Sequence, residues 1–258
     1  MLNRLVLLVT GCGPSTPPSA TSSPSAAPAG IPACDSEAVT ERSDYGSPLR
    51  CDLHDARFPR VTFEYTDPGA SSPAGRDQTV VVRVGDRVVQ TITEHVVSSA
   101  PGPPFVPRWA NDGDGQLVVV TNSGGTGGIG MAVWRARTPE GPFVRGGELF
   151  GFPYRMATTD EGFTALYAHA SAARGGYTIF RFDGDRIVGL LALPVAVADF
   201  PTASLDGTGP TIVNRATRCR LVTPNAEQTQ ALRAAKVSAD GAAERFCRQG
   251  WVGRTYAG

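Results

Sequence analysis

A glycine-rich stretch, Ser123–Gly130, comes closest to a known ligand-binding spacing, because Gly125, Gly127 and Gly130 form a GxGxxG. In dinucleotide-binding domains such glycines let the backbone approach a pyrophosphate, and a helix must follow with its N-terminus facing the ligand. Here Met131–Trp134 favours a strand, and a Pro-Glu-Gly turn comes soon after. The stretch therefore predicts a flexible loop between two strands, and no dinucleotide cofactor.

The acids, histidines and serines do not fall into the spacings that metal or hydrolytic sites require. Asn111–Gly115 resembles the end of an acidic calcium loop, but Ala110 stands where the first acid belongs, and no glutamate follows at the EF-hand distance. No HExxH pair occurs, and no serine lies in GxSxG. We therefore expect His54, His95 and His169 to be structural, and we predict no catalytic residue, no metal and no cofactor.

Four cysteines, Cys34, Cys51, Cys219 and Cys247, can pair in three ways. Short loops close more readily, which favours Cys34–Cys51 and Cys219–Cys247. Disulfides persist outside the cytoplasm. A structural zinc site is the rival reading, but the chain has no CxxC pair. The cysteines therefore favour an oxidising compartment.

The fifth cysteine, Cys12, follows a short apolar run, Leu5–Val9, and one arginine, Arg4. A run of this length cannot span a bilayer, which takes about 20 apolar residues, and it is typical of an export signal. Val9–Cys12 resembles a bacterial lipobox, and the alternative interpretation is an ordinary apolar N-terminus on a soluble protein. The resemblance implies a lipoprotein signal over residues 1–12, an acyl chain such as palmitate on Cys12, and an extracytoplasmic domain anchored to the cell membrane.

Residues 13–33 are almost entirely Gly, Pro, Ser, Thr and Ala, so they bury too little apolar surface to become ordered. We predict a disordered spacer here and one β domain over residues 34–258. The 24 basic and 24 acidic residues give no overall field for nucleic acid. A single lysine among many arginines is typical of a GC-rich genome such as an actinobacterial one.

The body of the chain contains three similar units, each a strand, a glycine-rich loop, a strand, a tight turn and a strand. Aligning them places Val82–Arg83, Trp134–Arg135 and Phe180–Arg181 in register. The fold class predicted is mostly β, with antiparallel meanders arranged as an incomplete propeller or a sandwich. The alignment further predicts that Arg83, Arg135 and Arg181 share a sheet face, which could receive carboxylates or phosphates or simply be solvated.

A short helical segment is expected at the C-terminus. Thr223–Pro224 is a good helix start for Asn225–Lys236. A second helix is expected over Asp240–Gln249, ending at Gly250.

Three short segments resemble blades of FG-GAP-type repeats and are also similar to periplasmic lysozyme inhibitors: Asn111–Val120, Ser123–Gly125 and Ala132–Trp134. In those inhibitors a Ser–Gly loop enters the target's active-site cleft, which implies that role for Ser123 and Gly124.

Our leading hypothesis is a non-enzymatic envelope lipoprotein that presents loops to a protein or glycan partner. The expected contact residues are Ser123, Gly124, Gly125 and Thr126. A lysozyme inhibitor and a cell-wall or lipid hydrolase are the alternatives.

Overall fold

The three sequence units form three antiparallel sheets in a computed structural model. The model describes residues 30–41, 47–69, 75–97, 102–107, 109, 115–123, 125–200, 205 and 208–256. The predictions for Cys12 and for residues 13–29 of the spacer lie outside the described residues. The mostly β, antiparallel fold predicted from the sequence is confirmed.

Sheet A has the strand order β1-β2-β3-β4. It follows a short helix, α1 (Glu37–Thr40), and its strands are β1 (Leu49–Leu53), β2 (Val61–Asp67), β3 (Arg76–Val84) and β4 (Arg87–Val96). Residues along β2 alternate between buried and half-buried, so Phe63 and Tyr65 point into the core while Thr62 and Glu64 lie on the outer face.

Sheet B is a three-stranded meander of β5 (Gln116–Ser123), β6 (Ile129–Ala136) and β7 (Phe143–Gly151). Sheet C has the order β12-β13-β11-β10-β9-β8. Its strands are β8 (Met156–Thr158), β9 (Thr164–Ser171), β10 (Arg174–Asp183), β11 (Arg186–Val197), β12 (Thr211–Asn214) and β13 (Thr217–Arg220).

The sheets stack face to face in chain order. Val80 and Val82 of sheet A share a hydrophobic cluster with Leu117 and Val119 of sheet B. The other face of sheet B packs Val118, Met131 and Val133 against Leu166 and Phe180 of sheet C. Strands β5 and β6 of sheet B are therefore buried on both faces, which explains the unbroken apolar run Leu117–Val120.

Two glutamines, the half-buried Gln90 and the buried Gln78, also join sheet A to sheet B. The Gln90 side-chain amide donates to the Phe143 carbonyl (2.9 Å) and accepts from the Phe143 backbone N–H (2.8 Å), as a neighbouring strand would. Gln78 donates to the Val120 carbonyl (2.6 Å) and accepts from the Tyr65 hydroxyl (2.7 Å). A buried amide is stable only when it is hydrogen-bonded, so these contacts fix the docking of the two sheets.

The C-terminal helices cover the outer face of sheet C. They are α2 (Ala226–Ala234), α3 (Ala242–Cys247) and α4 (Gly250–Gly253). Ile179 and Leu191 of the sheet pack in one cluster with Leu232 and Phe246 of the helices.

Two helix boundaries differ from the sequence prediction. Asn225, not Thr223, caps α2, because its side chain and that of Gln228 form a reciprocal capping box. Gly250 begins α4 instead of ending a helix.

The structure contains two disulfides, Cys34–Cys51 and Cys219–Cys247, the pairing that short loop closure favours. The first ties the segment before α1 to β1. The second ties β13 to the end of α3.

The predicted alignment of the three units is wrong by one residue in the first unit. Each central hairpin contains a β-bulge, between Val82 and Arg83, between Val133 and Trp134, and between Ile179 and Phe180. A β-bulge shifts the pairing of two strands by one residue, and the residues of the turn do not indicate this shift. Arg83 is thus the equivalent of Trp134 and Phe180.

The predicted row of arginines on one sheet face is also wrong, because the three side chains belong to three sheets. Arg83 contacts Glu64 on the outer face of sheet A (3.3 Å). Arg135, from sheet B, stacks over the Phe182 ring at 4.4 Å. Arg181 lies in sheet C, 3.7 Å from Asp183.

Candidate functional site

The glycine-rich stretch is a turn between two strands of sheet B, as the sequence predicts. Ser123 ends β5, Gly125–Gly127 forms one turn of 3-10 helix, and Ile129 begins β6 and pairs with Ser123. Strand β6 occupies the place where a dinucleotide site would need a helix. Gly124 lies outside the described residues.

The turn has a firm base and an exposed tip. Gly128 has a positive φ of 132°, and a Cβ there would lie 2.8 Å from the Cα of Gly151, so glycine lets the turn settle on the end of β7. The Nδ1–H of His169 donates to the Thr126 carbonyl over 3.3 Å when that nitrogen carries the proton. Gly125 and Thr126 are exposed. The turn is therefore held in place by β7 and His169, while Gly125 and Thr126 are accessible to a partner.

A cleft of about 450 Å³ opens between the end of β4 and sheet B. Its lining combines apolar, amide, hydroxyl and charged side chains: His95, Val97, Thr121, Asn122, Met131, Glu148, Leu149 and Phe150. Val97 is 66% exposed and Phe150 is 43% exposed. The Phe150 ring also reaches the turn, because a Cβ on Gly127 would lie 3.6 Å from its Cζ. Cleft and turn therefore form one continuous surface, which we call the loop-end surface.

A polar network between sheets A and B extends to Glu148 in the lining of the cleft. Glu94 of sheet A accepts hydrogen bonds from Trp134 Nε1 (2.8 Å) and Arg145 Nε (2.7 Å) of sheet B. Arg145 also donates to Glu148 (2.6 Å), which lines the cleft. The hydrogen bond to Glu94 is the largest influence raising the pKa of Arg145, and it outweighs the opposing effect of burial. The network therefore keeps a charged, prearranged wall beside the apolar residues.

His95 pairs with Asp77 through its Nδ1 over 2.9 Å, and the two side chains are 54% and 66% exposed. A hydrolytic triad needs a nucleophile on the same histidine and a shielded carboxylate behind it. The exposed carboxylate lies on the neighbouring strand β3, so the pair is a solvated cross-strand contact.

The three histidines do not converge. His54 Nδ1 lies 3.5 Å from the Thr62 hydroxyl on the outer face of sheet A, His95 borders the cleft, and His169 supports the turn. Within the described ranges, no group of three or more His, Cys, Asp and Glu side chains could hold a metal ion. The calcium-like stretch falls outside those ranges, apart from Gly115.

The structure reveals a second pocket that sequence reasoning missed. Its volume is about 280 Å³, and Tyr154, Arg155, Met156, Ala157, Tyr177, Trp251, Arg254 and Thr255 line it. Arg155 and Thr255 are 100 residues apart in sequence, so no local motif could have brought the two ends of this lining together.

No helix in the described part of the chain has the length and apolarity needed to cross a membrane. No family model, no curated protein and no solved structure matches this chain.

Proposed function

We propose that this chain is a non-enzymatic lipoprotein of the cell envelope whose loop-end surface binds a partner. The observation that carries the proposal is the juxtaposition of exposed Val97 and Phe150 with the exposed turn on a prearranged polar base. Loops on a rigid scaffold commonly carry binding functions, and exposed apolar side chains beside polar groups are typical of interfaces.

The chemistry of the cleft favours a protein partner over a glycan. Val97 and Phe150 offer apolar contact, while Asn122 and Glu148 offer hydrogen bonds at the edge. An apolar centre within a polar rim is the usual anatomy of a protein interface. A lysozyme inhibitor is a special case of this proposal, in which the turn enters a muramidase.

Two observations support the location. The disulfides need an oxidising compartment to persist, and Val9–Cys12 resembles a lipobox. Lipid attachment at Cys12 would hold the domain at the outer face of the membrane through the spacer.

Photo-crosslinking in intact cells tests the binding surface. A photoreactive residue at Thr126 or Val97 should yield one protein adduct, and Phe150→Ser should reduce its yield at least tenfold. Val88 is the matched control, because it is 48% exposed on the hairpin at the opposite end of β4. Equal adducts from Thr126, Val97 and Val88, or adducts unaffected by Phe150→Ser, would contradict the proposal. Purified peptidoglycan and a purified muramidase serve as direct binding probes.

Intact mass spectrometry of the membrane-extracted protein tests the location. We expect a mature chain that begins at Cys12, carries acyl mass and gains the mass of four hydrogen atoms on reduction. An unprocessed chain with free thiols would overturn the export and anchoring proposals.

A further inference from the structure

Two arginines, Arg155 and Arg254, line the pocket between β8 and the C-terminal segment after α4. Some described arginines contact a carboxylate, for example Arg50 with Glu64 and Arg137 with Asp185. Arg155 and Arg254 form no ion pair with any described residue, and no acid is among the residues that line the pocket. Two positive charges therefore face one small pocket without a protein counter-charge.

The position of Arg155 is fixed by its neighbours. Its guanidinium lies 4.8 Å above the centre of the Tyr167 ring, and Nη2 donates to the Thr255 carbonyl over 3.4 Å. Stacking on a ring holds the guanidinium plane while leaving most of its N–H groups available.

The hydroxyl groups at the back of the pocket are already committed. Thr255 donates to the Val252 carbonyl (2.7 Å), so Tyr177 donates its proton to Thr255 Oγ1 (2.8 Å). Burial raises the pKa of Tyr177 despite the opposing influence of Arg155 and Arg254, so the phenol stays neutral. The tyrosine therefore does not supply the missing negative charge.

An apolar pocket adjoins the charged one. Tyr154, which is 79% exposed, lines both pockets. The second has a volume of about 260 Å³, and its other walls are Phe105, Val106, Pro107 and Pro153. Arg57 donates to the carbonyls of Val106 and Pro107, and Phe105 pairs with Val118 of sheet B, so this wall is held in place.

We propose that the two pockets form one binding site for a carboxylate attached to an apolar body. Arg155 and Arg254 would hold the carboxylate, and the apolar body would lie across Tyr154 against Val106 and Pro153. Arginine suits this role because its planar fork matches a carboxylate. The site shares no residue with the loop-end surface, so the inference goes beyond the proposed function and does not depend on it.

Phenylacetate and phenylacetamide are a matched pair of probes, because they differ in charge and have the same ring. Titration of the purified full chain with its disulfides intact should give a Kd on the order of 1 mM for phenylacetate. The amide should bind at least tenfold more weakly. Equal affinity for the two probes, or no binding of phenylacetate at 20-fold higher concentration (~20 mM), would overturn the proposal.

Substitutions locate the site. Arg254→Gln should weaken phenylacetate binding at least tenfold, because it removes one of the two positive charges proposed to hold the carboxylate. The Arg254 side chain is exposed, so the substitution should leave the core intact. Arg87→Gln, in the hairpin of sheet A, is the control and should not change affinity. Tyr154→Ala should weaken the binding of acid and amide alike. Unchanged affinity in both Arg254→Gln and Tyr154→Ala would place binding elsewhere and refute the site.

A further probe identifies the source of the carboxylate. N-acetyl-alanyl-phenylalanine carries the same head group at the end of a peptide. Tighter binding than phenylacetate would support a polypeptide C-terminus as ligand, and weaker binding would support a free small acid. In either case Arg254→Gln must reduce the affinity.

Discussion

The indole Nε1 of Trp134 donates a hydrogen bond to Oε1 of Glu94 over 2.8 Å, and so joins the middle sheet to the first through a buried carboxylate. Glu94 is 7% exposed and also receives both Nε and Nη2 of Arg145. One side chain thus satisfies partners on two strands of sheet B.

Glu94→Gln should destabilise the protein by about 2 kcal/mol, because removing one member of a buried ion pair leaves the other without compensation. Arg145 is 38% exposed, so water offsets part of the loss. Urea unfolding followed by fluorescence measures the effect. Glu148→Gln is the matched control, since Glu148 is 67% exposed and should contribute less than about 1 kcal/mol. Equal effects of the two substitutions would contradict the assigned role of Glu94.

The three-unit organisation could be predicted because hairpin chemistry is local. Gly85–Asp86 and Gly184–Asp185 lie at tight turns between runs of β-branched and aromatic residues, and each pair forms the turn expected. The bulges could not be predicted, because their positions depend on how strands pair and not on the turn residues. The resulting one-residue error in the alignment assigns Arg83 to the wrong face of its sheet.

Sheet B should be equally sensitive to cavities on its two faces. Val118→Ala opens space toward sheet C, and Val119→Ala opens space toward sheet A, so each should cost about 2 kcal/mol. The matched surface control is Val144→Ala, because Val144 is 45% exposed in the same sheet. Thermal or urea unfolding checks all three. A negligible cost at either buried position would show that this face is not packed.

The Cys219–Cys247 bridge should anchor the helical segment to sheet C. Replacing both cysteines with alanine should lower the free energy of unfolding by about 3 kcal/mol, since the bridge no longer restricts the unfolded chain. Urea unfolding measures the loss, and limited proteolysis should then cut first in residues 221–256. The Cys34→Ala, Cys51→Ala variant is the control for position. Its early cleavage should fall near α1, and an identical cleavage pattern would argue against separate anchoring roles.

Stability should fall in acid partly through Glu64. The hydrogen bond from Arg50 is the main cause that lowers the pKa of Glu64 from 4.5, with Arg83 assisting and burial opposing. A carboxylate with a lowered folded pKa stabilises the fold above its unfolded pKa, and the contribution disappears as pH falls through the folded value.

Glu64→Gln should therefore reduce stability at pH 7 by less than about 1 kcal/mol and have little effect well below pH 4.5. Urea midpoints measured from pH 7 to pH 3 check this, with Glu140→Gln as a control on a more exposed ion pair. A cost that stays constant across the pH range would show that the pair with Arg50 is not responsible.

The candidate sites illustrate a different limit of sequence reasoning. The turn around Thr126 was visible as a run of glycines, because backbone freedom leaves a local signature. Val97 and Phe150, which both line the cleft, belong to different sequence units. Arg155 precedes β8, the first strand of sheet C in the chain, whereas Arg254 follows the last helix, α4. Such groups meet only through the stacking of sheets, which a single sequence does not encode as a motif.

Strands β5 and β6 of sheet B are covered on both faces, so sheet B cannot persist in a molecule that has lost either neighbour. Sheet A and the C-terminal helices each have an outer side and can open locally. In hydrogen exchange, the amides of Val118–Val120 and Met131–Val133 should therefore exchange only through global unfolding, and their protection should report the stability of the whole domain. Sheet B, which lies between the other two sheets, thus makes the unfolding of all three sheets cooperative.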